Sequence, residues 1–137
     1  MFTVIGRFSA HTFAIMRFVV GILFALHGSA ILWGWPKLPG PGGPTPPLIF
    51  AGGIIETVTG LLVAVGLLTG LAAFLASGTM AVAFFKFHFP HGWNPLENMG
   101  ELSVVYCFVF LFIAAHGAGI WSIDSLLRRR TPVVTTS

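Results

Sequence analysis

The chain has 137 residues, of which 55% are hydrophobic and only 8% are charged. A soluble domain carries about 25% charged residues, so this composition excludes a soluble enzyme, a disordered regulator and a secreted disulfide scaffold. The net charge of +3 does not indicate nucleic-acid binding, because Arg128, Arg129 and Arg130 follow a hydrophobic segment, as on the cytoplasmic flank of a membrane protein. The single cysteine, Cys107, excludes an intrachain disulfide and multi-cysteine redox motifs. The sequence therefore predicts an integral membrane protein.

Four apolar segments are long enough to cross a bilayer, which takes about 20 residues. The predicted spans are residues 12–34, 47–68, 71–89 and 95–118, and they form one all-α, four-helix membrane domain over residues 1–137. Pro47 suits the first turn of the second helix, and Asn94, Pro95 and Glu97 predict the start of the fourth. Small residues predict where helices approach each other closely; they are Gly21, Gly28, Gly60 and the pair Gly66 and Gly70.

The basic residues predict the orientation of the bundle. Arg7 and Arg17 flank the start of the first span, and the three terminal arginines follow the fourth, whereas Lys37 and Lys86 lie toward the opposite side. The positive-inside rule therefore predicts that both termini are cytoplasmic. At the cytoplasmic end we expect Arg17 to snorkel or to pair with helix-end carbonyl groups, and His116 and Asp124 to be structural.

Ionisable residues in the outer half of this bundle are the main indication of a site. Such a group costs about 2.5–3.5 kcal/mol near the bilayer centre, so it usually faces the interior and has a partner. All four helices contribute one or more: His27, Glu56, Lys86, His88, Glu97 and Glu101. At 1.5 Å per residue, Glu56 lies about 14 Å from the outer end of its helix. No carboxylate reaches water from that depth, so we expect Glu56 to be protonated or paired with His27 or Lys86.

Each of these residues also has a structural interpretation. Lys86 would snorkel to the outer interface, Glu97 would cap a helix, and His88 would lie where a histidine is inexpensive. For Glu56 and His27 the alternative is a buried hydrogen-bonded pair that only fixes the register of the helices.

Several short motifs carry a resemblance to a known family. They are Arg17, Gly21, Phe24, His27 and Gly28 in the first span; Gly53, Glu56, Gly60 and the run from Gly66 to Thr69 in the second; and Glu101, Gly117, Gly119 and Asp124 near the end. In order and spacing they resemble the DoxX family. The resemblance implies a small, multi-pass protein of the bacterial inner membrane that is linked to redox complexes, as are the membrane subunits of thiosulfate:quinone oxidoreductase. The chain departs from the pattern in a Pro-rich expansion between Trp35 and Leu48.

The main functional hypothesis is a membrane subunit of an oxidoreductase complex that binds a quinone in an outer-half polar pocket. The ligand-binding residues predicted for it are His27, Glu56, Lys86, His88 and Glu101, with Phe side chains sandwiching the ring. We expect no intrinsic cofactor, no metal site and no catalytic residue, because no such motif is present. Electrons would come from a larger redox partner, and whether the chain is itself an enzyme stays open.

Two alternatives remain. The chain could be a non-catalytic structural or assembly subunit whose glycine stripes dock on a larger membrane complex. Less well supported is a pathway for protons or small solutes along the same polar column. Homo-oligomerisation is also left open.

Overall fold

The computed structural model describes residues 2–40 and 42–130, except for the side chains of residues 2 and 3. Within these ranges the chain forms helices and no strand. The helices are α1 (Phe2–Gly6), α2 (Ser9–Trp33), α3 (Pro47–Val65), α4 (Thr69–Ala83), α5 (Glu101–His116) and α6 (Ile123–Arg130). A π-helical segment (Phe84–His88) and a 3₁₀ turn (Phe89–His91) extend α4.

Three helical segments are long and apolar enough to cross a membrane: Ser9–Trp33, Pro47–Val65 and Thr69–His91. The fourth long helix, Glu101–His116, is apolar but shorter. The prediction of an all-α membrane fold is therefore confirmed, whereas the cytoplasmic placement of the termini stays a prediction.

Successive long helices run antiparallel. At one end, Phe13 near the start of α2 stacks on His116 at the end of α5, with ring centroids 3.8 Å apart. At the other end, Gly100 before α5 lies against His88 after α4. We call the end that carries residues 66–68 and 117–130 the tail end. The end that carries residues 34–40, 42–46 and 92–100 is the loop end, and it corresponds to the predicted outer side.

Helices α2 and α3 touch through their backbones. A Cβ atom on Gly21 would lie 2.6 Å from the backbone nitrogen of Ala64, and one on Gly60 would lie 2.6 Å from that of Ala25. The predicted close approach at Gly21, Gly28 and Gly60 is confirmed. Because these three glycines pack inside the bundle, they are not available for docking on another protein, and the docking part of the assembly hypothesis stays a prediction.

Gly66 lies at a close approach, as expected, but its nearest neighbour is Ser122 in the segment before α6 and not another long helix. It ends α3 in a left-handed conformation, with a φ of 73°, which glycine adopts without steric cost. Gly70, in contrast, approaches the carbonyl oxygen of Ala114 on α5.

The fourth long helix begins at Glu101 and not at the predicted Asn94–Glu97 signal. Asn94 only closes a turn, in which its side chain accepts a hydrogen bond from the backbone of Leu96 at 3.1 Å. Met99 then takes a left-handed conformation with a φ of 62°, which interrupts any helix at that residue. The predicted start was wrong because Asn94 caps only this turn, and the left-handed Met99 separates the turn from the helix that begins at Glu101.

Polar contacts fix the tail end. Arg17 is 2% exposed, and its guanidinium donates hydrogen bonds to the carbonyl groups of Ala118, Ile120 and Trp121. The prediction that Arg17 pairs with carbonyl groups is thus confirmed. The alternative prediction, that Arg17 snorkels to the interface, is wrong. The Asp124 carboxylate accepts hydrogen bonds from the backbone N–H groups of Leu68 and Thr69, at 2.9 and 3.0 Å, and from the Thr69 hydroxyl. Asp124 therefore caps the start of α4.

The glycine contact between α2 and α3 predicts a contrast between two alanine substitutions. Gly60→Ala would press a Cβ atom against the α2 backbone and should destabilise the bundle by about 1–3 kcal/mol, as overpacking does. Gly52→Ala is the matched control, because a Cβ atom there meets nothing within 4 Å. Thermal unfolding in detergent should show a lower midpoint for Gly60→Ala alone. Equal midpoints for the two variants would contradict the close contact.

The cap on α4 predicts an acid-sensitive contribution to stability. Burial alone would raise the pKa of Asp124, but hydrogen bonds from Thr69 and Leu68 and the nearby Arg128 charge hold this pKa below its ordinary value. A lowered pKa means that the ionised carboxylate stabilises the fold at neutral pH, and that this stabilisation is lost as the pH falls through the folded-state pKa, below about 4.

Asp124→Ala should lower the free energy of unfolding by about 1 kcal/mol at neutral pH, the usual loss for a helix cap. The difference from wild type should shrink on acidification. Unfolding midpoints measured across the acidic range test this, with Asp124→Asn as the variant that keeps an acceptor oxygen without the charge. A pH-independent difference would show that the carboxylate charge does not contribute.

Candidate functional site

A cavity of about 980 Å³ is lined by residues of all four long helices, α2, α3, α4 and α5. It extends from Pro36 and Met99 at the loop end to Phe74 in α4. Most of its walls are aliphatic or aromatic, and a small number of polar side chains face it. An apolar pocket with a few polar groups is the usual form of a small-molecule site.

The central polar feature of the cavity is a pair formed by His27 and Glu56. The Nδ1 atom of His27 lies 2.6 Å from the Oε2 atom of Glu56, and both residues line the cavity. The imidazole is 45% exposed and the carboxylate side chain only 6%. The imidazole is therefore the more accessible member of the pair, and its Nε2 atom makes no hydrogen bond to the described residues. The expected pairing of Glu56 with His27 is confirmed.

The glycine contact between α2 and α3 explains why this pair forms. A Cβ atom on Gly28, next to His27, would lie 2.6 Å from the backbone nitrogen of Thr57, next to Glu56. The two backbones are thus as close as they can be at this level. His27 and Glu56 each precede one of these two contact residues, so their side chains meet across the interface between α2 and α3. The Glu56 carboxylate has little access to water there.

His88 reaches the loop end of the same cavity from the π-helical segment. Its Nδ1 atom lies 3.1 Å from the carbonyl oxygen of Asn98, which fixes the orientation of the ring. Single π-helical turns within α-helices occur frequently at functional sites. Here the π turn ends α4 beside the cavity.

Two of the five predicted site residues do not reach the cavity wall. Lys86 and Glu101 are exposed and are absent from the lining. Lys86 does not pair with Glu56, because His27–Glu56 is the one ion pair among the described residues. The structure thus brings together His27, Glu56 and His88 and leaves Lys86 and Glu101 outside. Their roles in ligand binding stay predictions.

Tyr106 is a polar residue of the cavity that the sequence analysis missed. It is the single tyrosine of the chain, it lines the cavity on α5, and its hydroxyl makes no hydrogen bond with the described residues. Ser103 lies one turn earlier and also lines the cavity. One feature of the sequence could have indicated Tyr106. Its hydroxyl and that of Ser103 are three residues apart, which places them on one face of a helix.

The phenylalanine side chains at the cavity are Phe24, Phe74 and Phe87. Among the phenylalanines of α5, Phe110 packs instead on Phe24 in the core, with ring centroids 4.6 Å apart. No group of three or more His, Cys, Asp or Glu residues in the described part of the chain could hold a metal ion. The cavity therefore offers hydrogen bonds and apolar surface.

Taken together, these groups can hydrogen-bond a ligand and exchange protons with it. The Glu56 carboxylate orients the His27 ring through Nδ1, which leaves Nε2 to accept or donate a proton on the cavity side. Tyr106 supplies a neutral hydroxyl. The surrounding apolar walls exclude water and favour an apolar occupant.

Comparisons with known proteins identify the family of the chain. The DoxX family model matches residues 12–89, which is more than half of the chain. An uncharacterized protein of Haemophilus influenzae is 35% identical over 124 residues, covering 87% of this chain and 92% of that protein. A second uncharacterized protein of the same organism is 29% identical over 77 residues, covering 56% of this chain and 51% of that protein. No solved structure matches significantly. The chain therefore belongs to the DoxX family, a membrane family linked to oxidoreductase-associated functions.

Proposed function

We propose that this protein is a small membrane subunit of an oxidoreductase complex and that its cavity binds a quinone. The observation that carries the proposal is the His27–Glu56 pair, a buried acid and a half-exposed imidazole 2.6 Å apart in an otherwise apolar wall. A pair that only fixed the register of the helices would not need to line a cavity.

The chemistry of a quinone fits this cavity. A quinone is a flat apolar ring with two carbonyl oxygens, usually attached to an isoprenoid tail. The His27 Nε2 atom and the Tyr106 hydroxyl are the donors available to those oxygens, and Phe24, Phe74 and Phe87 provide surface for the ring and tail. The volume of about 980 Å³ lies at the upper end of ordinary ligand pockets, about 300–1,000 Å³.

Proton transfer is the role that the paired side chains would perform. Reduction of a quinone to a quinol takes up two electrons and two protons. His27 would donate its Nε2 proton to one carbonyl oxygen as the electrons arrive and, after taking up another proton from water, would supply the second. Glu56 would stabilise the imidazolium before each transfer. The electrons would come from a partner oxidoreductase that holds the redox centre.

Contact with the lipid bilayer follows from the apolar helices, and we place the protein in the bacterial inner membrane. Several residues that line the cavity are both apolar and exposed, among them Ile55 of α3 and Val82 of α4. A membrane-dissolved quinone could therefore enter laterally from the bilayer. A non-catalytic assembly subunit is the competing function, and the first experiment below separates the two.

The first prediction concerns Glu56→Gln. This variant keeps the shape of the side chain but removes the charge that orients and stabilises His27. Quinone affinity should fall about tenfold or more, as expected when a hydrogen bond involving a charged group is lost. The measurement is quinone content after purification, by chromatography and mass spectrometry, followed by titration with a short-chain quinone.

Glu97→Gln is the control, because Glu97 is exposed and absent from the cavity lining. Wild-type protein that carries no quinone, binds none on titration and co-purifies in fixed ratio with a large enzyme would favour the assembly function and contradict the proposal.

The second prediction concerns Tyr106→Phe. Removing a hydroxyl that bonds the ligand should weaken quinone binding by about 2- to 10-fold, the ordinary range for a neutral hydrogen bond. The unfolding midpoint without ligand should not change, because the hydroxyl has no hydrogen-bond partner among the described residues. A lower midpoint with unaltered quinone binding would assign the hydroxyl a structural role instead.

A further inference from the structure

The tail end carries a second cavity, which lies apart from the proposed quinone site. It is a crevice of about 610 Å³ between α6 and the segment before it. We propose that this crevice binds the phosphate-bearing headgroup of an anionic phospholipid. Nothing in this proposal depends on quinone binding.

The walls of the crevice have two chemical characters. Val65, Ile120 and Leu126 give it an apolar side, whereas Ser125 and Arg129 give it a polar side. A free anion would make no favourable contact with the apolar side. A purely apolar molecule would leave the Arg129 guanidinium without an ionic partner. A phospholipid, with its phosphate beside the start of its acyl chains, complements both sides.

The charge of α6 matches an anionic headgroup. Its last turn carries Arg128, Arg129 and Arg130, all of them exposed. Its one acid, Asp124, is already engaged by the start of α4. Arg129 has no ionic or hydrogen-bond partner in the described ranges, so its guanidinium is available for a phosphate, which arginine binds through two parallel hydrogen bonds.

Hydrogen bonds hold both walls of the crevice in place. The backbone N–H of Asp124 donates to the carbonyl oxygen of Gly66 at 2.8 Å, and the Asp124 carboxylate caps α4 from the other direction. Arg17 holds the carbonyl groups of Ile120 and Trp121. The crevice is thus preformed, which lowers the entropy cost of binding.

The position of Trp121 supports a membrane-surface site. It takes a left-handed conformation with a φ of 54°, which is unfavourable for a bulky residue, and its side chain is 66% exposed. The ring packs edge-on against His11, with centroids 5.1 Å apart. Tryptophan is enriched at the interface between lipid and water. An exposed indole at the mouth of the crevice is therefore expected at the level of lipid headgroups.

The test compares two variants that each remove one positive charge from the tail end. Arg129→Gln changes the crevice, and Arg7→Gln is the matched control, because Arg7 is exposed in the turn between α1 and α2 and does not line the crevice. Full-length protein in neutral detergent is titrated with phosphatidylglycerol or with phosphatidylcholine of the same acyl chains, and bound lipid is counted by native mass spectrometry.

We expect wild type to retain phosphatidylglycerol in preference to phosphatidylcholine. Arg129→Gln should weaken phosphatidylglycerol binding at least about fivefold, which is the ordinary contribution of one basic residue near an anionic membrane surface, and Arg7→Gln should weaken it less than twofold. Equal losses in the two variants would overturn the proposal, because they would indicate a general surface potential. Displacement of the lipid by millimolar inorganic phosphate would overturn it in favour of a free-anion site.

Discussion

The close contact between the backbones of α2 and α3 is the constraint on which the candidate site depends. With glycine at positions 21, 28, 53 and 60, the two helices approach until their backbones touch. That approach buries Glu56 and places His27 beside it. Lipid tails provide no hydrophobic force that drives helices together, so close packing and interhelical hydrogen bonds must hold them. The same contact therefore stabilises the bundle and forms the polar pair.

The depth of each ionisable residue in the membrane was predictable from its position along its helix. For this reason the sequence could predict that His27 and Glu56 form a pair. A carboxylate nine residues into an apolar span has few ways to avoid an isolated charge, and an imidazole at similar depth was the nearest candidate. Helix ends set by backbone geometry were also predictable, as at Pro47 and Gly34. The start of α5 was not, because Gly100 packs against Phe84 and His88 of a distant segment. No local capping signal contains that tertiary contact.

The direction in which a residue faces around the bundle was harder to predict than its depth. Lys86 and His88 lie at similar depth, yet His88 lines the cavity and Lys86 does not. The wider π-helical turn at Phe84–His88 alters the angular positions that a regular α-helix would give these side chains. Tyr106 was missed for another reason. Its hydroxyl carries no charge, so it did not stand out in a search for side chains that are costly to bury.

Polar side chains at the two ends of the bundle differ in how many hydrogen bonds they make within the described chain. At the tail end, the Arg17 guanidinium bonds three carbonyl groups and leaves only Nε unpaired among the buried side-chain atoms described, and the Asp124 carboxylate accepts three hydrogen bonds. At the cavity, His27 has one partner and the Tyr106 hydroxyl has none within the described chain. These cavity groups are accessible and not buried, since the His27 side chain is 45% exposed and the unpaired buried side-chain atom found in the described part of the chain is Nε of Arg17 at the tail end. Accessible donors with unused hydrogen-bonding capacity are what the proposed ligand would require.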